Sequence, residues 1–378
     1  VLSSATPSLE SLWNAGRGRY AHVLLEARYG KAVLPDLTLL DMRKQKMPGA
    51  EWLAPDLVQA VEQTLEAGDQ ALLFLNRRGY APLTLCRTCG FRLACPHCAS
   101  WLVEHRFRNK LACHHCGHEE PVPSACPECG SEEALVACGP GVERLAEEAA
   151  SRFPEARIAI LSSDLSRGAM LGETLRDIAK GEYNLIIGTQ LVAKGHHFPG
   201  LTLAGVVDAD LALETTDPRA GERTWQMLAQ VSGRAGRGER RGRAIVQTYM
   251  PDHPLMQALA AQDRDRFVEH ESEIRERAML PPFGRMAGII ISGEDRDQTL
   301  RFANSLAVMR PQASDVQVLG PAAAPVHKLK AEYRYQFLLK ASKRSLLSEA
   351  IRRAQDLSEK ENWPATALTI DVDPMSLL

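Results

Sequence analysis

No stretch of this chain approaches the roughly 18 to 20 consecutive apolar residues that a helical membrane span requires, so none is expected. A dominant charge is also missing. The formal net charge is -2 over 378 residues, which excludes a protein basic over its whole surface and confines any nucleic-acid contact to local patches. Neither a G-x-x-x-x-G-K-[ST] phosphate loop nor an Asp-Glu magnesium motif occurs, so the chain alone is not expected to hydrolyse ATP. No secretory signal opens it, and reduced thiols are therefore expected. Internal repeats and low-complexity segments are absent as well.

What the chain does have is cysteine in a tight array. Eight of its nine cysteines form four C-x-x-C pairs: Cys86/Cys89, Cys95/Cys98, Cys113/Cys116 and Cys126/Cys129. Each such turn offers two thiolates along one edge of a tetrahedral ion, and two turns close one structural zinc site with no open coordination position. Two Zn2+ ions are thus expected. Five residues separate Cys89 from Cys95, short for a zinc ribbon, whereas fourteen separate Cys98 from Cys113. This favours a nested arrangement, with Cys86, Cys89, Cys126 and Cys129 as site one and Cys95, Cys98, Cys113 and Cys116 as site two; sequential and alternating pairings stay open. Gly90, Gly117 and Gly130 follow three of the turns, where positive φ suits glycine. His97, His114, His115 and His118 crowd the array, but eight thiolates already fill two shells, so surface or nucleic-acid contact is expected of them. Cys138 stands alone and reads as a small buried residue.

The length suits two or three compact units. Gln70 to Asn76 is continuously apolar, as in a strand buried on both faces of a parallel sheet. Similar runs at 157–161, 184–187, 201–207 and 243–248 alternate with helical patterns at 141–153, 167–180 and 222–231, which predicts an α/β layer fold. The cysteine array then interrupts that unit after its first strand. A charged helical stretch over 253–278 precedes the break Pro281-Pro282-Phe283-Gly284, and beyond it strands at 286–292, 316–319, 333–340 and 368–372 with helices at 297–309 and 346–360 predict a small α+β sandwich. The expected units are 1–30, a connector at 31–55, an α/β lobe at 56–280 with the cysteine-rich insertion at 82–139, and a C-terminal α+β unit at 281–378.

Two segments of the α/β unit carry polar chemistry. Ile187-Gly188-Thr189-Gln190 through Lys194-Gly195-His196-His197-Phe198-Pro199 leaves the carboxyl end of a strand, where open α/β sheets bind ligands. Gln230-Val231-Ser232-Gly233-Arg234-Ala235-Gly236-Arg237 follows a helix, and its two arginines, three residues apart, can be aimed at one polyanion. A solvated basic turn would look similar, since Arg240, Arg241 and Arg243 lie nearby.

Together these segments resemble the fifth and sixth conserved motifs of superfamily two helicases, and Ser4-Ala5-Thr6-Pro7 resembles the third. With the cysteine array, the run Phe74-Leu75-Asn76-Arg77-Arg78-Gly79-Tyr80-Ala81-Pro82 and the closing Asp371-Val372-Asp373-Pro374, the chain resembles more narrowly the primosomal replication-restart DNA helicases. The resemblance implies a RecA-like helicase lobe and the end of a preceding lobe at 1–30, ATP-driven 3′ to 5′ unwinding, and primosome assembly at stalled or abandoned forks. It also implies ATP and Mg2+ in the intact protein, with forked and single-stranded DNA, the acidic tail of single-stranded DNA-binding protein and other primosome proteins as partners. A bacterial cytoplasmic location and no membrane partner follow from it too. Because the family carries its phosphate loop in an upstream lobe, the sequence reads as a carboxyl-terminal half.

By the same resemblance Arg237 and Arg234 belong to the sixth motif, Arg237 as the finger stabilising charge on the transferred phosphate, worth ~10³ to 10⁵ in rate. Gln230 and Gly233 would shape that loop. Gly188, Thr189, Gln190, Lys194 and Gly195 would couple nucleotide state to grip on DNA, the lesser alternative for Thr189 being a helix cap. In the cysteine-rich segment, Phe91 and Arg92 head a mixture of basic and aromatic residues suited to stacking bases and tracking phosphates. In the last unit Tyr333, Arg334 and Tyr335 interleave rings with a cation, either as a contact surface or, for the two tyrosines, as alternating positions of a half-buried strand, and Lys343 and Arg344 are candidates for gripping an acidic tail. The rival expectation is a non-enzymatic, zinc-stabilised nucleic-acid-binding scaffold.

Overall fold

The computed structural model describes the chain apart from residues 2, 26–32, 48–50, 76–82, 97–101, 106–109, 114–117, 133, 139–141, 162–168, 190–197, 211, 212, 214–216, 237–239, 307–315, 330, 331, 365, 366 and 376–378. In chain order the first elements are α1 (Leu9–Gly16), β1 (Asp36–Asp41), α2 (Pro55–Glu66) and β2 (Gln70–Leu75). The cysteine-rich segment contributes β3 (Leu83–Cys86), β4 (Leu102–His105), β5 (Lys110–Cys113), β6 (Glu119–Pro121) and β7 (Leu135–Cys138). There follow α3 (Val142–Arg152), β8 (Ile158–Leu161), α4 (Ala169–Lys180), β9 (Leu185–Gly188), β10 (Leu201–Asp208), α5 (Ala220–Ser232) and β11 (Arg243–Thr248). Helices α6 (Pro254–Ala260) and α7 (Arg264–Arg277) lead to β12 (Arg285–Gly293), α8 (Arg296–Leu306), β13 (Val316–Leu329), β14 (Glu332–Ala341), α9 (Arg344–Lys360) and β15 (Leu368–Val372).

A parallel sheet in the order β1-β11-β10-β2-β9-β8 is the frame. All six residues of its central strand β2 are buried. The pleat sends Leu72 and Phe74 into one core, with Trp225, Leu228 and Val231 of α5, and Leu73 and Leu75 into the other, with Leu57 and Val61 of α2. Burial on both faces is why the strand reads as an unbroken apolar run. Gly205 lets α2 lie close on the sheet, since a Cβ there would stand 2.7 Å from a Leu57 methyl.

Three departures from the sequence expectations have local causes. Part of the expected connector is strand: β1 pairs with β11 at the sheet's edge, and Asp41 caps a short 3-10 turn after it. The charged stretch 253–278 is two helices, broken where Gln262 takes φ 54° and Asp263 caps α7 with its carboxylate. The strand expected at 316–319 runs on to Leu329, with register shifts around Pro321 and Pro325 where a proline cannot join a regular ladder.

The segment at the start of the chain packs on the α/β unit. Leu9 enters the core beside α5, and Trp13 meets Phe283 edge to face with centroids 4.6 Å apart. The C-terminal unit is an antiparallel sheet, β13-β14-β12-β15, with α8 and α9 packed against Ile289, Ile291, Phe337 and Leu339. No helix among the described residues is long and apolar enough to cross a membrane.

Candidate functional site

Site one assembles from two turns built alike. Cys86 ends β3, and the amide of Gly90 closes the turn on the Cys86 carbonyl at 2.8 Å; the amide of Gly130 does the same to Cys126 at 2.9 Å. Gly90 and Gly130 both take positive φ, 80° and 71°. The four sulfurs of Cys86, Cys89, Cys126 and Cys129 lie within 4.8 Å of one another, with Cys86 to Cys129 at 3.6 Å and Cys89 to Cys126 at 3.8 Å. Zinc–sulfur bonds near 2.3 Å in a tetrahedron require sulfur–sulfur edges of about 3.8 Å, so the set fits one zinc ion. The Ser131 hydroxyl and amide hold the Cys129 thiol down to about 6, whereas burial pushes Cys89 up to about 12. A cation among them would favour four thiolates. Of site two, Cys95 is buried and Cys113 ends β5, while Cys98 and Cys116 lie outside the described residues.

The module rests on the carboxyl edge of the parallel sheet. Arg92, 7% exposed, lies 3.7 Å from Asp210, just beyond β10, and also reaches the Met250 sulfur. Gly90 presses on Tyr249 after β11, where a Cβ would stand 2.8 Å from the tyrosine Cβ. Burial, reinforced by Asp208, pushes Asp210 up to about 6 against the pull of the Thr248 hydroxyl, Arg92 and the Tyr249 amide. Arg92 is therefore an anchor facing inward, a correction to its expected place on a DNA-facing surface. Phe91 is half-buried against the module's own small core.

The two helicase-like segments begin at opposite ends of the sheet. Gly188 ends β9 at the carboxyl edge, and the Thr189 amide donates to the Leu161 carbonyl at 3.2 Å. Gln190, Lys194 and Gly195 lie outside the described residues. The arginine segment follows α5 at the other end, where the amide of Gly236 donates to the carbonyl of Leu201, the first residue of β10, at 2.9 Å. Only glycine fits there: Gly236 has φ 71°, and a Cβ would stand 2.3 Å from the Gly242 nitrogen. Gly233 caps α5, and Arg234 is 6% exposed, buried where a displayed cation was expected. Arg237 lies outside the described residues.

Along α5 a polar stripe at Glu222, Gln226 and Gln230 meets the start of the chain, as spacing by four residues places them on one face. Glu222 accepts from the Leu9 amide at 3.4 Å, Gln226 donates to the Thr6 carbonyl at 3.2 Å, and Gln230 donates to the Thr6 hydroxyl at 2.9 Å. Glu222 also holds Arg275 of α7 at 2.6 Å; that guanidinium, 1% exposed, bonds Glu271 at 3.0 Å and the Pro281 carbonyl at 3.3 Å and lies 3.5 Å from Glu10. Arg219 pairs with Glu10 and donates to the Pro374 carbonyl at 3.2 Å. Burial works against the charge on Arg275, and Glu222, Glu271 and Glu10 outweigh it, holding the group above its ordinary value. Burial pushes Glu271 up. None of this cluster was singled out from sequence, where the one trace was the Glu271/Arg275 spacing of four on a helix.

In the C-terminal unit Tyr333 and Arg334 are half-buried, and Tyr335 is inside the core, so for Tyr335 the buried strand position holds and the contact surface does not. Lys343 and Arg344 are exposed at the start of α9.

A parallel-sheet α/β core of the kind found in RecA-like helicase lobes, carrying a cysteine-rich zinc module and followed by an antiparallel α+β unit, defines the class of this protein. The family description "Primosomal protein N C-terminal domain" matches residues 276–375, and "PriA DNA helicase Cys-rich region (CRR) domain" matches residues 95–121, which include Cys95, Cys98, Cys113 and Cys116. The replication restart protein PriA of Rickettsia conorii is 43% identical over 377 residues, covering 100% of this chain and 58% of the relative. The PriA proteins of Haemophilus influenzae and Bacillus subtilis are 39% and 37% identical over 100% of this chain, matches that cover 52% and 48% of their own lengths. The chain belongs to the replication restart protein PriA family and spans about half the length of these curated relatives. A looser likeness, TM-score 0.35 at 14% identity over 72% of this chain and 53% of the other, is to S. cerevisiae Dbp5 bound to RNA and ADP BeF3.

Proposed function

We propose that this chain supplies the second motor lobe, the zinc module and the C-terminal domain of an ATP-dependent 3′ to 5′ DNA helicase, which restarts replication by assembling a primosome at stalled or abandoned forks in the bacterial cytoplasm. The observation that carries this reading is the 2.9 Å hydrogen bond from Gln230 to Thr6, which joins segments read separately as the sixth and third helicase motifs. Family membership supports it. Arg237 is the finger on the transferred phosphate, while the buried Arg234, three residues before it, fixes the loop. Gly188, Thr189, Gln190, Lys194 and Gly195 couple the nucleotide state to the DNA strand. ATP and Mg2+ are held by an upstream lobe.

Two structural zinc ions, one held by Cys86, Cys89, Cys126 and Cys129 and one by Cys95, Cys98, Cys113 and Cys116, fold the module. Forked and single-stranded DNA, other primosome proteins and the acidic tail of single-stranded DNA-binding protein are the partners, the tail at Lys343 and Arg344. Mixing this chain with the upstream part of a relative and measuring ATP hydrolysis with forked DNA tests the motor reading. Hydrolysis should need both parts and fall at least ~10³-fold with Arg237→Ala. Assembly with full zinc content and DNA binding but no hydrolysis would favour a scaffold instead.

A further inference from the structure

The buried charge cluster at the N-terminal end of α5 has no part in the motor motifs, yet it touches everything that leads to them. Glu222 is its centre: one oxygen accepts from the start of the chain, and the other holds Arg275 of α7, whose remaining nitrogens bond Glu271 one turn back on the same helix and the Pro281 carbonyl at the entrance to the C-terminal unit. Two turns further along the same face, Gln230 meets Thr6 and the helix passes into the arginine segment. Eight residues of helix cover about 12 Å, and a helix packed on both sides moves as a rod. Close fit is enforced at the junction, because a Cβ on Gly221 would lie 2.7 Å from a Glu271 oxygen.

We propose that Arg275 is a positioning residue, coupling the C-terminal unit and the start of the chain to the arginine-bearing end of α5. Its three-way fork fixes the roll and axial position of the helix, and through Gln226 and Gln230 sets how Thr6 and the Gly233–Gly236 turn face each other. Movement at the entrance to the C-terminal unit thereby reaches the arginine segment through Arg275, alongside the separate tie that Arg219 at the start of α5 makes to the Pro374 carbonyl. The consequence for turnover rests on the helicase reading above; the mechanical coupling does not.

Amide hydrogen exchange on the chain itself decides the coupling. In Arg275→Met, exchange at residues 226–236 should rise about tenfold, while β2 and β12 stay within about twofold of the parent. Arg275→Lys should recover part of that protection. Should Arg275→Met fail to fold, the triple variant R275M/E222Q/E271Q, which strands no buried charge, should show the same local loss. Unchanged exchange at 226–236 in either folded variant, or a rise spread equally over β2 and β12, overturns the proposal. In the full-length protein, Arg275→Met should lower kcat for DNA-stimulated ATP hydrolysis about tenfold with KM for ATP nearly constant; a loss confined to KM contradicts a positioning role. If the parent hydrolyses no ATP, the helicase reading falls, and the exchange result still decides the coupling.

Discussion

The cysteine-rich module and the C-terminal unit are both appended to the parallel sheet, and they are held together in opposite ways. Among the described residues the module's buried apolar cluster is Leu93, Cys95, Leu102 and Leu111, whereas the C-terminal cluster comprises fifteen buried residues, including Ile289, Ile291, Phe302 and Phe337. So small a core cannot offset the conformational entropy of ordering the module's described residues, and the thiolate cluster must make up the difference. Their anchors differ too. One arginine, Arg92, ties the module to Asp210, a carboxyl pushed up to about 6; the C-terminal side is tied through Arg275, which three carboxylates keep charged.

Breaking the metal site should have the largest effect. Cys126→Ala removes one of four ligands; the bound zinc should fall by one ion per chain by elemental analysis, and that ion's contribution of ~10 to 16 kcal/mol to the module's folding should be largely lost. Next comes Arg275→Met, which leaves Glu222 and Glu271 buried without their partner and should cost about 3 to 5 kcal/mol in urea unfolding. Replacing the two glutamates as well should recover most of that loss.

A smaller effect separates the two anchors by pH. A carboxyl whose folded pKa is raised binds a proton more tightly folded than unfolded, so its contribution to stability falls as pH rises from about 4 to about 6. Relative to Asp210→Asn, the parent chain should lose roughly 2 to 3 kcal/mol across that window and none further above pH 7. A parallel pair of curves throughout would contradict the assignment. Smallest in stability is charge reversal at Lys343 and Arg344, which should stay within about 0.5 kcal/mol because both are exposed. Binding of an acidic peptide should weaken all the same, measured by fluorescence anisotropy.

The same contrast explains what could be read from the sequence. The cysteine turns, with Gly90 and Gly130, and the central strand β2 are local patterns, and local patterns survive in one dimension. Strand β1 was hidden by Pro35 and by its place at the sheet's edge, and the extension of β13 by Pro321 and Pro325. Arg92 faces inward and Tyr335 lies in the core although both stand among alternating basic and aromatic residues, a pattern that looks alike whether it faces water or a neighbour. The Arg275 cluster was invisible for another reason: Glu10, Glu222 and Arg275 come from positions more than two hundred and fifty residues apart at the extremes, and only the packed fold brings them within bonding distance.

Hydrogen exchange with and without a strong chelator, followed along the whole chain, tests the contrast most directly. Metal removal should abolish protection across β3 to β7 while β12, β14 and α9 keep theirs. Equal loss in both units, or retained protection in β3 and β7 after the metal is gone, would contradict it.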